Sequence, residues 1–275
     1  MNTKLLVGNT RLFRIQELSQ YFGCENLLIK DESENPTGTF KDRRSEVIIK
    51  KAVKDGVNKL VLITSGNAGF SLAQFAKGTG IKIVCVVDKH LSKPTLKKLE
   101  DVCDKVIAVD LNKRELTSKD IIELARNDRK EVIRDVSNGY HDAYISIIKE
   151  IKKEKPDFLI CPLGGGEAFV GLYNGLKKEK MRISLIGVGP YKNPSLADKL
   201  CTRFTPYISK TASIVKEGKG EIFRVSEEKI AKNFNYCKKY IECEPSSAIV
   251  FLALNKIKNR KDKKIVVINS GRGLI

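Results

Sequence analysis

One loop of the chain has the residue types that bind an anion through backbone N–H groups. It reads Thr64-Ser65-Gly66-Asn67, follows an apolar run that predicts a strand, and precedes a helical pattern. Free N–H groups at the start of a helix, together with the positive end of the helix dipole, suit a carboxylate. The same residues would also fit a helix start that is simply capped by Ser65 or Asn67, and this interpretation stays open.

A second loop is suited to a phosphate. It consists of Gly164-Gly165-Gly166, after the predicted strand that ends at Cys161. Three glycines let the backbone approach a phosphate, and the following helix start supplies a favourable field. A dinucleotide loop would need glycine at position 169, which is Phe169, and a purely structural turn is the remaining alternative. Glu167 is unexpected, because a carboxylate beside a phosphate is repulsive unless it points away.

Lys41 is predicted to begin a helix. It lies behind a turn that Pro36 and Gly38 favour, after the apolar run Leu27–Ile29 and before a stretch with helical spacing of its apolar residues. A lysine in the first turn of a helix is usually only a solvated surface residue. Lys41 becomes a candidate for chemistry only because the chain also contains the loops at 64–69, 164–166 and 270–271.

Two further stretches contain serines at predicted element ends. Ser270 and Gly271 follow the last predicted strand, and Glu244-Pro245-Ser246-Ser247-Ala248 is typical of a helix start. Each is equally explained as a plain turn or cap. We interpret His141 as structural.

The elements that position these loops alternate along the chain. Apolar runs predict strands at 60–63, 83–87, 106–109, 158–161, 183–186 and 265–268, and helical patterns occur at 68–77, 121–125 and 143–151. Continuous apolar strands that alternate with helices indicate parallel sheets covered on both faces. A domain boundary is plausible near 135–138, where polar residues interrupt the alternation.

The composition limits the possible partners. The 275 residues are 41% hydrophobic, enough for a sizeable core, and 51 lysines and arginines against 33 acidic residues give a net charge of +18. This excess favours anionic partners. The basic residues are dispersed and the aromatic content is only 7%, so we expect no nucleic-acid platform and attribute much of the charge to solvated helix surfaces.

The cysteines and histidines indicate neither a metal site nor disulfides. Seven cysteines form no CxxC pair, and the chain has only two histidines. Cys85 and Cys161 fall inside apolar runs, where we expect them to be buried. The odd number of cysteines and the lack of a secretory signal predict reduced thiols in the cytoplasm, and no apolar run is long enough to predict a membrane span.

Together, the stretch Asn35–Arg43, the loop at 64–69, the glycines at 164–166 and the Ser270-Gly271 turn resemble the fold-type II pyridoxal-phosphate enzymes, the tryptophan synthase β-subunit family. The resemblance implies an α/β fold of two domains with helix-covered, mainly parallel sheets and the cofactor in the cleft between them. We expect an N-terminal domain at 12–133 and a C-terminal domain at 134–275, joined by residues 1–11.

The resemblance also implies a set of site residues. Lys41 would bind pyridoxal 5'-phosphate covalently and shuttle a proton, for which desolvation and cationic surroundings would lower its pKa. Ser270 would face the ring nitrogen and leave it largely unprotonated, and Asn67 would bond the ring hydroxyl. The phosphate would lie on Gly164, Gly165 and Gly166. The substrate carboxylate would lie on Thr64, Ser65, Gly66 and Ala68.

Within the family, the motifs are most similar to those of threonine synthases, through Lys41-Asp42-Arg43, the Ser-Gly-Asn-Ala-Gly loop and the terminal Gly-x-Gly-Leu. This implies a lyase of amino-acid biosynthesis that converts O-phosphohomoserine and water to threonine and phosphate. The implied partner is a small amino-acid substrate that carries a phosphate, and a homodimer is left open. The alternatives are a cysteine synthase-like β-replacement, a serine/threonine dehydratase or, in another class, a cofactor-free binding or regulatory protein.

Overall fold

The structure, a computed structural model, describes residues 6–113, 116–202 and 205–274. The chain divides into two compact units. The first consists mainly of Lys41–Tyr140, and the second mainly of Gly8–Phe40 and His141–Gly273. Each unit contains a mainly parallel sheet with helices, which confirms the predicted α/β class.

The bounds of the elements follow in chain order. The strands are β1 (Leu12–Phe13), β2 (Asn26–Asp31), β3 (Lys59–Ile63), β4 (Lys82–Asp88), β5 (Lys105–Val109), β6 (Ile133–Asp135), β7 (Phe158–Pro162), β8 (Ser184–Pro190), β9 (Gly220–Val225) and β10 (Lys264–Asn269). The helices are α1 (Gln16–Phe22), α2 (Lys41–Lys54), α3 (Asn67–Ala76), α4 (Lys93–Glu100), α5 (Ser118–Ala125), α6 (Ile145–Ile151), α7 (Glu167–Lys178), α8 (Ile208–Lys216), α9 (Glu227–Cys237) and α10 (Pro245–Ala248). Short 3-10 helices lie at Glu32–Glu34, His141–Tyr144, Lys152–Glu154, Asp198–Leu200, Ile249–Lys256 and Arg260–Asp262.

In the first unit, the sheet has the strand order β5-β4-β3-β6, and its strand pairs are parallel. Successive side chains of a strand point to opposite faces. Leu60 and Leu62 accordingly pack with residues of α2, α3 and α4, whereas Val61 packs with residues of α5. Burial of both faces explains why β3 reads as one continuous apolar run.

In the second unit, the strand order is β1-β2-β10-β7-β8-β9, and β1 is antiparallel to β2 while the other pairs are parallel. Ile265 and Val267 face a core shared with α1, α9 and α10, whereas Val266 and Ile268 face a core shared with α6, α7 and α8. The carboxyl ends of β2, β10 and β7 therefore lie at one edge of a sheet that is covered on both faces.

The division of the chain differs from the expected domain limits of 12–133 and 134–275. Residues 12–40 belong to the second unit, because β2 pairs along its whole length with β10, from Asn26 opposite Lys264 to Asn269 opposite Asp31. The limit near 134 falls inside β6, which pairs with β3 and so belongs to the first unit. Of the expected joining segment 1–11, residues 1–5 lie outside the described residues, as does residue 275.

Cys85 and Cys161 are fully buried, as the sequence predicts. Burial raises the pKa of the Cys161 thiol well above its ordinary value, so that this thiol stays protonated and unreactive. Among the helices that the structure describes, none combines the length and apolar character needed to cross a membrane.

Candidate active site

Lys41 is the first residue of α2 and is half-buried. The preceding turn depends on Gly38, whose φ of +78° suits glycine and at which a Cβ would lie 2.8 Å from Arg272 Nε. Phe40, the residue before Lys41, donates its N–H to Ser270 O over 2.9 Å. The chain thus enters α2 from a segment that is hydrogen-bonded to the end of β10.

A buried hydrogen-bond network joins the first turn of α2 to α3. Ser71 donates to Asp42 Oδ1 over 2.6 Å, and its hydroxyl also lies 2.7 Å from Ser45 Oγ. Asp42 is fully buried. Because Asn67 begins α3, this network keeps Lys41 and Asn67 on two helices that are hydrogen-bonded to each other.

The loop before α3 is held by Thr64, whose hydroxyl oxygen accepts the N–H groups of Gly66 over 3.0 Å and Gly69 over 3.2 Å. The helix begins at Asn67, and its N-cap is Gly66 with no side-chain cap, so the alternative interpretation of Ser65 or Asn67 as capping residue is wrong. Asn67 and Gly66 are buried, whereas Ser65 and Ala68 are half-buried. Binding of a substrate carboxylate here stays a prediction.

The glycine loop at 164–166 forms a tight cradle at the start of α7. Gly166 is the N-cap with a φ of +89°, and a Cβ on it would lie 2.7 Å from Thr211 Oγ1. A Cβ on Gly164 would lie 3.2 Å from Leu200 Cα. Among the described residues, the backbone N–H groups of Gly164, Gly165 and Gly166 have no protein acceptor. They are donors available to an anion.

Thr211 adds a hydroxyl group to this cradle. The residue is 6% exposed, and its Oγ1 has no hydrogen-bond partner within the part of the chain that the structure describes. Its backbone N–H donates to Tyr207 O over 2.9 Å, so Thr211 and Tyr207 lie one turn apart at the start of α8, both against Gly166. A buried hydroxyl without a partner costs about 1–3 kcal/mol, which a bound oxyanion would recover.

Glu167 is also buried at this loop, in the first turn of α7. The positive end of the helix stabilises a carboxylate in that position, but the negative charge is unfavourable to a neighbouring anion. Three backbone donors, the Thr211 hydroxyl and the helix end oppose this one carboxylate. The residues present therefore fit a phosphate group.

Ser270 follows β10 at the same edge of the sheet as the glycine loop, because β10 and β7 are parallel neighbours. It is buried, and its hydroxyl lies 2.7 Å from Ser247 Oγ. The end of the strand is fixed by Asn269, whose Nδ2 donates to Asp31 Oδ1 over 2.8 Å and to Glu242 O over 2.9 Å. The structure thus brings Ser270 and Gly164–Gly166 together at one sheet edge, which is where parallel sheets bind ligands.

The sequence did not indicate Thr211 or Tyr207. Their spacing of four residues places them on one face of a helix, but no motif marks that face as facing Gly166. His141, interpreted as structural, has its Nδ1 3.3 Å from Tyr207 Oη and so helps to hold Tyr207 in position. Only the packing of α8 on the glycine loop reveals these residues.

Comparison with known proteins identifies the family of the chain. A family model described as pyridoxal-phosphate dependent enzyme matches residues 3–271. A threonine synthase of Methanocaldococcus jannaschii is 26% identical over 313 residues, which cover 98% of this chain and 76% of that protein.

The solved structures with the same fold are of enzymes that catalyse different reactions. A cysteine synthase of Entamoeba histolytica has a TM-score of 0.79 and 23% identity, covering 97% of this chain and 86% of its own. An L-serine ammonia-lyase of Rhizomucor miehei has a TM-score of 0.79 and 20% identity, covering 99% and 96%. At this identity the likeness shows the fold alone.

Proposed function

Because the chain belongs to the family of pyridoxal-phosphate dependent enzymes, we propose that it uses this cofactor to convert O-phosphohomoserine and water to threonine and phosphate. The observation that carries the proposal is the oxyanion cradle of Gly164–Gly166 with the buried hydroxyl of Thr211. This cradle lies at the sheet edge that also carries Ser270.

Each site residue has a defined task in this proposal. The N–H groups of the glycine loop and Thr211 Oγ1 would hold the cofactor phosphate, and Lys41 Nζ would hold the cofactor covalently. Asn67 would bond the ring hydroxyl, and Ser270 would face the ring nitrogen. When bound, pyridoxal phosphate withdraws electrons from the substrate α-carbon, so that protons and leaving groups can depart.

The residues of the first unit would handle the substrate. The N-terminal end of α3, with the loop at 64–68, would bind the amino-acid carboxylate through backbone N–H groups and the helix dipole. Once the substrate amine had displaced it from the cofactor, the free Lys41 Nζ would take the proton from the substrate carbon and return it later, as a general base and then an acid. The hydrogen bond between Ser71 and Asp42 would hold Lys41 and the loop at 64–68 in fixed positions relative to each other.

Two features support O-phosphohomoserine as the substrate. The threonine synthase relative matches 98% of this chain. The net charge of +18 favours a doubly anionic substrate, since a positive protein surface raises the encounter rate with anions.

The proposal is tested with purified protein reconstituted with pyridoxal phosphate. We expect a yellow protein that releases inorganic phosphate from O-phosphohomoserine and forms threonine in equal amount. Lys41→Ala should lose both the visible absorbance and the turnover. Lys51→Ala, on an exposed position of the same helix, serves as the control and should retain both.

Other outcomes would redirect the assignment. Pyruvate or 2-oxobutyrate from serine or threonine would indicate a dehydratase. Cysteine from O-acetylserine and sulfide would indicate a β-replacement enzyme. A colourless protein that takes up no pyridoxal phosphate would refute the proposed cofactor site as a whole.

A further inference from the structure

Two cysteine side chains meet on the face of the first unit's sheet that α3 covers. Cys85 Sγ, on β4, lies 3.4 Å from Cys103 Sγ, in the turn between α4 and β5. Both thiols are free, and no short motif marks them as a pair because 18 residues separate them. Since the sulfur atoms of a disulfide lie about 2.05 Å apart, the two thiols are within roughly 1.4 Å of bonding distance.

The two thiols differ in their surroundings. Cys85 is fully buried, and a hydrogen bond with Cys103 together with this burial raises the pKa of Cys85 well above its ordinary value. Cys103 is half-buried, so a small oxidant can reach its sulfur. A redox-active pair combines one accessible thiol, which reacts with the oxidant, and a neighbouring thiol that resolves the product. Cys103 fits the first of these roles, and Cys85 fits the second.

Cys85 Sγ also lies against the loop at 64–69. A Cβ on Gly69 would lie 2.5 Å from Cys85 Sγ and 2.9 Å from Thr64 Cγ2, so the sulfur fills the space that a side chain at position 69 would take. The N–H of Gly69 donates to Thr64 Oγ1 over 3.2 Å, and this bond helps to fix the loop. A displacement of the Cys85 sulfur would therefore act on the loop directly.

Cys103 is connected to the same loop through the end of α4. Its backbone N–H donates to Leu99 O over 2.8 Å, and Leu99 Cδ2 lies 3.2 Å from the position of a Cβ on Gly69. Leu99, like Cys85, is fully buried. Because protein interiors are close-packed, a shift of either sulfur by about 1 Å must displace these neighbours. Both members of the pair are thus linked to the loop at 64–69.

We propose that Cys85 and Cys103 form an oxidation site, which hydrogen peroxide converts to a disulfide, and that this disulfide weakens ligand binding at the loop at 64–69. The Cys103 sulfur attacks a peroxide oxygen and the O–O bond breaks, which gives a sulfenic acid and water. The Cys85 sulfur then attacks the sulfenic sulfur, so that the S–S bond forms, the S–O bond breaks, and the hydroxyl group leaves as water with the Cys85 proton. The two thiols lose two electrons in total, and the peroxide accepts them. The effect on the loop rests on the proposed function, in which this loop binds the substrate carboxylate.

The test uses holoenzyme reconstituted with pyridoxal phosphate, fully reduced, and then treated with a small excess of hydrogen peroxide. Mass spectrometry of unreduced peptides should recover Cys85 and Cys103 linked to each other. Backbone hydrogen exchange at 64–69 should become faster. The KM for O-phosphohomoserine should rise about tenfold or more, the loss expected when a hydrogen bond to a charged group is weakened. Dithiothreitol should reverse all three changes.

Substitution of single cysteines assigns the response to this pair. Cys103→Ser should leave the KM of the reduced enzyme unchanged and should abolish all three responses to peroxide. Cys201→Ser is the matched control, because Cys201 is also half-buried but belongs to the second unit. This variant should respond to peroxide as the unsubstituted protein does.

The outcomes separate this inference from the proposed function. Recovery of Cys103 as a free thiol or a sulfinic acid, with no linked peptide, would overturn the inference. Linked peptides with unchanged hydrogen exchange at 64–69 and an unchanged KM would overturn the connection between the pair and the loop. A holoenzyme that does not turn over O-phosphohomoserine, yet forms the disulfide and exchanges faster at 64–69, would support the oxidation site and refute only the proposed reaction.

Discussion

Thr211→Val is the substitution that tests the phosphate cradle most directly. Valine has nearly the shape of threonine but cannot form a hydrogen bond, so the packing of α8 on Gly166 should persist while the hydroxyl is lost. A hydrogen bond to a charged group contributes about 1.5–3 kcal/mol. With a tenfold change for every 1.4 kcal/mol, the affinity for pyridoxal phosphate should fall by about 10- to 150-fold.

The assay compares two ligands. The protein is freed of cofactor and titrated with pyridoxal phosphate and, separately, with pyridoxal, which lacks the phosphate, while visible absorbance reports binding. Thr211→Val should weaken only the first ligand, and Thr211→Ser should restore it. Ser213→Ala, on the exposed side of α8, is the matched control and should affect neither ligand.

The same substitution should have the opposite effect on stability without cofactor. Thr211 Oγ1 is buried with no partner among the described residues. Its removal should therefore raise the free energy of unfolding of the cofactor-free protein by about 1–3 kcal/mol, measured by urea denaturation. Equal losses for pyridoxal and pyridoxal phosphate, or an unchanged affinity for both, would refute the assignment of this hydroxyl to the phosphate.

Two further substitutions test the conformation of the glycine loop and the response to acid. In urea denaturation, Gly166→Ala should lower the free energy of unfolding by more than Gly218→Ala. Both glycines have a positive φ, but only a Cβ on Gly166 would lie against other atoms. Equal losses of stability would show that the cradle is not tight. The backbone N–H of Asn127 and then the Lys59 ammonium lower the pKa of Glu131 to about 2. The ionised carboxylate therefore stabilises the fold above its unfolded pKa of about 4.3. This contribution to stability disappears as the pH falls towards 2. Glu131→Gln should therefore be less stable than the unsubstituted protein at neutral pH and equally stable near pH 2, and a constant difference across that range would contradict the shift.

The sequence predicts the central strands well because they are buried on both faces. The runs at 60–63, 83–87 and 265–268 lie inside β3, β4 and β10 with boundaries within one residue. It does not predict β9, where Glu221 and Arg224 are exposed at the edge of the sheet and interrupt the apolar pattern. Strand prediction thus follows burial, and an edge strand provides little of that signal.

The site shows a similar limit. Loops that follow strands, such as Gly164–Gly166 and Ser270, are local features that glycine and serine reveal in the sequence. Thr211 and Ser247 lie against Gly166 and Ser270, which are distant in the chain, so their residue types alone indicate only a helix interior and a helix start. The compact units divide the chain elsewhere than the expected domain limits for the same reason, because the pairing of β2 with β10 leaves no local trace.

The pairing of β2 with β10 also determines when the second unit can fold during translation. Asp31 and Asn269 are hydrogen-bonded although 238 residues separate them. On the ribosome, Lys41–Tyr140 forms one continuous stretch and can fold early, whereas β2 must wait, with its edge unsatisfied, until β10 has emerged. A loop of this length is slow to close, and an unpaired strand edge is prone to aggregation. A nascent chain arrested before residue 264 would therefore lack the strand that Ser270 follows, and acquisition of colour would report that translation had passed that point.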